Sequence, residues 1–144
     1  MNRESFLKLS CTGCMLGAAG LISVTELLSC AAPESLKTSK AVLNQHMLHV
    51  PLSNLNAQGL TIVRASGMDY DIAVRKEEGN TFLAMELRCT HFNNPLQAAG
   101  SHFHCDLHGS EFDAQGAVIK GPASLALQHL PWSISGEQLI IQLQ

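Results

Sequence analysis

Apolar and polar residues alternate in short runs along most of the chain after about residue 46. Runs at 46–50, 60–65, 70–75 and 81–87 place their apolar side chains two apart, and 117–120, 132–134 and 138–143 repeat the pattern. A period of two marks a strand with one buried face, because successive side chains point to opposite sides of a sheet. Gly67, the Glu78-Gly79-Asn80 triplet and the Gly136-Glu137 pair fall between the runs, where turns are needed. Gly136-Glu137 in particular predicts a tight hairpin turn. After Lys40 no stretch carries a helical period over about ten residues. Short strands with regular turn signals predict a small all-β domain, an antiparallel sandwich or barrel.

Two regions fall outside the pattern. Residues 31–45 begin with Pro, Ser, Thr, Glu and Lys in no periodic order and are expected to be a solvated tether, leaving 46–144 as the domain. Residues 89–113, inside the domain, look loop-like and polar and hold two cysteines and four histidines. Loops on a rigid scaffold carry chemistry disproportionately often, so this is where a site is expected.

The first thirty residues have a third character. Arg3 and Lys8 precede a softly apolar stretch at 9–24, followed by Leu27-Leu28-Ser29-Cys30. A basic start, an apolar middle and small residues before a processing point describe an export signal. Its Gly, Ala and Ser content and Glu26 make it soft for a membrane span. Leu27-Leu28-Ser29-Cys30 resembles a bacterial lipobox, which implies that Cys30 carries lipid as the first residue of the mature chain. Acyl chains contribute about 0.8 kcal/mol per buried methylene, so a diacylated Cys30 would hold the domain at a membrane surface. Arg3-Glu4-Ser5-Phe6-Leu7-Lys8 resembles a twin-arginine signal in which Glu4 replaces the second arginine. Cys11 and Cys14 have the spacing of a metal or redox pair, but a cleaved signal would discard both.

Composition narrows the classes. A chain of 144 residues with 46% hydrophobic residues suits one globular domain. A net charge of −3 and the lack of a basic run argue against a nucleic-acid partner. Five cysteines, split between the first thirty residues and the body, make a poor disulfide framework. No Ser-His-Asp set, phosphate loop or carboxylate pair stands out, so the chain alone is not expected to catalyse bond chemistry.

The chemistry lies in two pairs. Cys89 and His91 are two apart, and Cys105 and His108 three apart. At a tight bend, either spacing lets both side chains converge. Two thiolates and two imidazoles suit tetrahedral zinc in a Cys2His2 site. They equally suit a 2Fe-2S cluster in which two His replace two Cys on one iron.

Cys89-Thr90-His91 and the run from Cys105-Asp106-Leu107-His108 through Gly109-Ser110-Glu111-Phe112-Asp113 resemble the two boxes of the Rieske 2Fe-2S family. Gly121-Pro122-Ala123 is similar to that family's proline loop, which covers the cluster. The resemblance spans about residues 47–143, with the cluster part at about 87–124. It implies a β-sandwich or barrel bearing a loop-built cluster subdomain, and one 2Fe-2S cluster per chain. Cys89 and Cys105 would bind one iron, and His91 and His108 the other. Gly109 is expected to let backbone amides approach the cluster sulfurs, and Pro122 to stiffen the covering loop. Phe92 and Phe103 are expected either as low-dielectric walls or as plain core.

The chain also departs from the family. Quinol-oxidising members join their cluster loops by a disulfide, whereas Asn94 and Leu107 stand at those positions here. High-potential members aim a serine and a tyrosine hydroxyl at the cluster; Ser110 matches the first, and Phe112 replaces the second. Hydrogen bonds to the sulfurs raise the potential by stabilising the reduced state. An intermediate value is therefore expected within the family span of roughly −150 to +300 mV.

Other residues receive ordinary roles. Alternation puts His102 and His104 on the solvated face opposite Phe103 and Cys105, His46, His49 and His129 are strand or loop residues, and Trp132 is core. The resulting expectation is an exported, lipid-anchored electron carrier on the periplasmic side of the cytoplasmic membrane. Its partners would be a cytochrome or an oxidoreductase large subunit, with quinol a weaker candidate. A quinol–cytochrome c reductase and a molybdenum oxidoreductase resembling arsenite oxidase both suit its size. The alternatives are the Rieske ferredoxin of a ring-hydroxylating dioxygenase and a zinc-stabilised binding module.

Overall fold

The computed structural model describes residues 36–57 and 59–144. The export signal, Cys11, Cys14 and Cys30 lie outside the described residues. Among the described residues the strands are β1 (Lys37–Lys40), β2 (Val42–Asn44), β3 (Met47–Pro51), β4 (Leu60–Arg64), β5 (Ile72–Lys76), β6 (Phe82–Glu86), β7 (Gln97–Ala99), β8 (His102–His104), β9 (Glu111–Phe112), β10 (Val118–Lys120), β11 (Trp132–Ser135) and β12 (Gln138–Gln142). A 3-10 turn, Leu52–Asn54, follows β3. Among the described residues no helix is long and apolar enough to cross a membrane.

The strands form three four-stranded sheets, ordered β1-β4-β5-β6, β11-β12-β3-β2 and β10-β9-β8-β7. All pairings are antiparallel except β1 with β4. The first sheet is covered on both faces. Leu60, Ile62, Ala73 and Met85 join one core with Phe103 and Phe112 of the third sheet. Val63, Ile72, Val74 and Ala84, on the other face, join a second core with Leu48, Val50, Leu139 and Ile141 of the second sheet. Burial on both sides explains why β4 is apolar almost throughout and alternates weakly. The two-residue turn at Gly136 pairs Ser135 with Gln138, as the hairpin signal predicts.

Two expectations change. The tether expected over 31–45 includes strand from residue 37 onward: β1 pairs with β4, and β2 with β3. Both strands are short; β1 is polar with Ser39 its buried side chain, and β2 leaves Val42 exposed, so no long apolar alternation announces them. The stretch 89–113 is likewise not all loop, since it contains β7, β8 and β9. Strands of two or three residues are too short for a periodic signal. In β8, Phe103 is buried, His102 exposed and His104 half-buried, as alternation requires. Trp132 is half-buried and meets Phe82 edge-on at 5.5 Å.

Candidate metal centre

Each Cys/His pair lies on a loop leaving the core that contains Phe103 and Phe112. Cys89 and Cys105 are themselves members of that core, fully buried, with free thiols. The two loops close alike. In the first, the Cys89 N–H donates to the Asn94 carbonyl (2.7 Å) and the Asn93 N–H to the Cys89 carbonyl (2.8 Å). In the second, the Cys105 N–H donates to the Ser110 carbonyl and the Gly109 N–H to the Cys105 carbonyl, both at 2.9 Å. The residue four after each cysteine has positive φ, +52° at Asn93 and +73° at Gly109. That left-handed residue lets an α-turn reverse the chain within a few residues.

This geometry gives Gly109 a role the sequence reading lacked. A Cβ added there would meet no protein atom within 4 Å, and its φ of +73° by itself favours glycine. Crowding does matter at Gly116, in the turn between β9 and β10, where a Cβ would lie 2.9 Å from Met85 Sδ and 3.0 Å from Leu127 Cβ.

The imidazoles stand at the exposed tip of the loops. His91 and His108 meet edge to face, with ring centroids 4.9 Å apart and planes at 87°. Phe92 lies 6.4 Å from each ring. Phe92 is 70% exposed, Leu107 60% and Leu125 67%, so the tip carries an apolar rim in water. Phe92 is therefore surface and Phe103 core, which separates two residues the sequence treated alike.

A third segment braces both loops. Residues 121–127 contain a cis Gly121–Pro122 peptide. The Ala123 N–H donates to Ser110 Oγ (3.0 Å), and Thr90 Oγ1 donates to the Leu125 carbonyl (2.6 Å). Ser110 is fully buried, and accepting from Ala123 leaves its own proton free to donate. Phe112 is also fully buried and offers no hydroxyl. Tyr70, from the β4–β5 connection, donates to the Asn93 carbonyl at 2.7 Å. The sequence reading missed Tyr70 and Thr90; for Asn93 a signal existed, since asparagine is the non-glycine residue most at home at positive φ.

Charged groups sit beside the second loop. His104 Nε2 lies 2.8 Å from Asp106 Oδ1, and Lys120 Nζ 2.7 Å from Glu111 Oε1. The Lys120 ammonium holds the Glu111 carboxyl below the ordinary carboxylate range. Among the described residues, no three or more His, Cys, Asp or Glu side chains gather as a single ion would require. The four candidate ligands instead form a buried pair of thiols and an exposed pair of imidazoles. That division matches the donor set of a two-iron cluster with unlike ends.

Residues 47–131 match the family model of the Rieske [2Fe-2S] domain. Over 83 residues the chain is 44% identical to cytochrome b6-f complex iron-sulfur subunit 1 of Nostoc sp., a match covering 54% of this chain and 46% of that protein. The chain thus spans about half the length of this relative. Over 142 residues it is 30% identical to the cytochrome b6-f complex iron-sulfur subunit of Synechococcus elongatus, covering 90% of this chain and 79% of the relative. The fold is similar to the crystal structure of the plasma membrane Rieske protein of the cyanobacterium Synechocystis. That match has a TM-score of 0.51 and 25% identity, and covers 64% of this chain and 94% of that one.

Proposed function

The chain belongs to the Rieske 2Fe-2S family, and we propose that it passes single electrons within a membrane-associated oxidoreductase complex, with Cys89, His91, Cys105 and His108 holding the cluster. The observation that carries this reading is the pair of like-closed loops, with thiols buried at their base and imidazoles exposed at one tip. The bound cluster supplies reversible one-electron chemistry at a potential set by its surroundings. The chain's residues do the rest. The loop closures fix both thiols against the apolar core, away from water. His91 and His108 stand where a partner can approach, and the Phe92, Leu107 and Leu125 rim offers that partner an apolar surface. The free proton of Ser110 is the one we assign to a cluster sulfur.

The relatives support a choice of circuit. Proteins named as cytochrome b6-f iron-sulfur subunits favour a membrane complex over the ferredoxin of a dioxygenase system. We place the domain on the periplasmic side of the cytoplasmic membrane, held through lipid on Cys30, with a cytochrome or an oxidoreductase large subunit as partner. Quinol is the weaker candidate donor, since Asn94 and Leu107 rule out the loop-bridging disulfide of quinol-oxidising members.

Electron paramagnetic resonance tests the centre. The reduced protein is expected to give a low-average-g signal, with iron and acid-labile sulfide in equal amounts. Cys89→Ser and Cys105→Ser should each abolish it. A silent protein that purifies with zinc overturns the reading. Separately, Cys30→Ser should release the protein from the membrane fraction, and unchanged association would remove the lipid anchor from the account.

A further inference from the structure

We propose that Tyr70 is a positioning residue for the first cluster loop, acting through its backbone rather than on the cluster. The Tyr70 hydroxyl donates to the carbonyl of Asn93, a residue 23 positions away and the one with positive φ in that loop. An asparagine adopts this conformation at greater cost than a glycine, so the first loop gains more from a tie that holds its backbone there. The donor itself is held in place. The Arg88 guanidinium lies over the Tyr70 ring, 5.7 Å from its centroid. Arg88 is fixed in turn by Glu86 at 2.9 Å and by the Gln128 side chain at 3.2 Å. Glu86 ends β6 and Arg88 immediately precedes Cys89, so the tie runs from the central sheet to the far end of the loop.

What the tie positions is His91. That imidazole is exposed, and its ring contacts are with Phe92 and His108 at the same tip. Its orientation therefore depends on the loop backbone, which the rest of the domain grips at two places. The Thr90 hydroxyl donates to the Leu125 carbonyl on one side of His91, and the Asn93 carbonyl accepts from Tyr70 on the other. The second loop needs no such grip, because Gly109 takes its φ without strain and Ser110 is tied from inside by the Ala123 amide.

The inference rests on the proposed cluster ligands only for its spectroscopic consequence. Tyr70→Phe in the full-length protein keeps the ring under Arg88 and removes only the hydroxyl. Hydrogen exchange followed by mass spectrometry is expected to show faster exchange in peptides covering 89–94. An ordinary net hydrogen bond corresponds to roughly two- to ten-fold. Peptides covering 105–110 should be unchanged. In the reduced protein the resonance lines should broaden, as His91 samples more orientations, while far-ultraviolet circular dichroism stays native. If Tyr70→Phe does not fold, Arg88→Gln reports instead, with the same loop selectivity and a smaller effect. Unchanged exchange in the first loop overturns the proposal, and so does equal acceleration in both loops, which would mark a general stabiliser. A protein without an iron signal would sink the proposed function yet leave the exchange result readable.

Discussion

The two loops that carry the candidate ligands share a backbone and differ in nearly everything attached to it. Each runs from a buried cysteine through an α-turn to a left-handed residue, and each is closed by the same two hydrogen bonds. The histidine, however, comes two residues after Cys89 and three after Cys105. The left-handed residue is Asn93 in one and Gly109 in the other. The first loop is tied by a tyrosine hydroxyl on a surface carbonyl and by the Thr90 hydroxyl on the Leu125 carbonyl, the second by a backbone amide on a buried serine. Backbone closure therefore sets where the thiols sit, while the attached residues decide how firmly each imidazole is held and how its surroundings are wired. The second loop is braced from inside the core and the first from outside it.

Replacing Ser110 should expose this difference most strongly. Ser110→Ala removes the acceptor of the buried Ala123 N–H and the hydroxyl proposed to face the cluster. An orphaned buried amide costs about 1–3 kcal/mol, and each kcal/mol lowers the melting temperature by roughly 4–8 °C in a domain of this size. The midpoint potential should fall by roughly 20–65 mV, the equivalent of one net hydrogen bond in a one-electron couple. Thr90→Val removes the matching hydroxyl of the first loop, which lies nearer the surface. Voltammetry and melting curves should show a much smaller change in both quantities. Equal shifts in the two variants would erase the distinction between inner and outer bracing.

The same contrast explains what the sequence could reveal. Ligand spacing is written in residue types, so Cys89, His91, Cys105 and His108 were legible without a fold. Strands β3 to β6 were legible because one face or both of each lies in a continuous core. β1 and β2 escaped because edge pairing is made by backbone groups that every residue carries, and only Ser39 of β1 is buried. Tyr70 escaped for a related reason. Its partner is a carbonyl, which has no residue identity, and only folding brings position 70 beside position 93. Gly109 is legible as the residue beside a ligand, whereas its positive φ belongs to the fold and is not.

Exchanging the left-handed residues should have the next largest effect. Gly109→Ala places a Cβ at φ +73°, costing about 1–2 kcal/mol, and melting of the holoprotein should fall accordingly. Asn93→Gly relieves the first loop and should be neutral or raise the melting temperature slightly. If Gly109→Ala is tolerated as well as Asn93→Gly, φ is not what sets glycine in the second loop.

The smallest effect should come from the ion pairs flanking the loops. The first loop is entered past Arg88, paired with Glu86; the second is left through Glu111, paired with Lys120. The Glu111 carboxyl is held below its ordinary value of 4.5, chiefly by its hydrogen bond from Lys120 and then by that ammonium's charge. A carboxyl with a depressed folded value contributes stability above its unfolded value, and that contribution is lost as pH falls through the folded one. Melting temperature should therefore decline below about pH 4.5 slightly less steeply in Glu111→Gln than in the parent. Because the pair is exposed, the difference should be slight and shrink further in high salt. Hydrogen exchange should confine it to residues 105–120. A change of equal size at 89–94 would mean that the two loops share one electrostatic unit, and the contrast between them would then hold for their bracing alone.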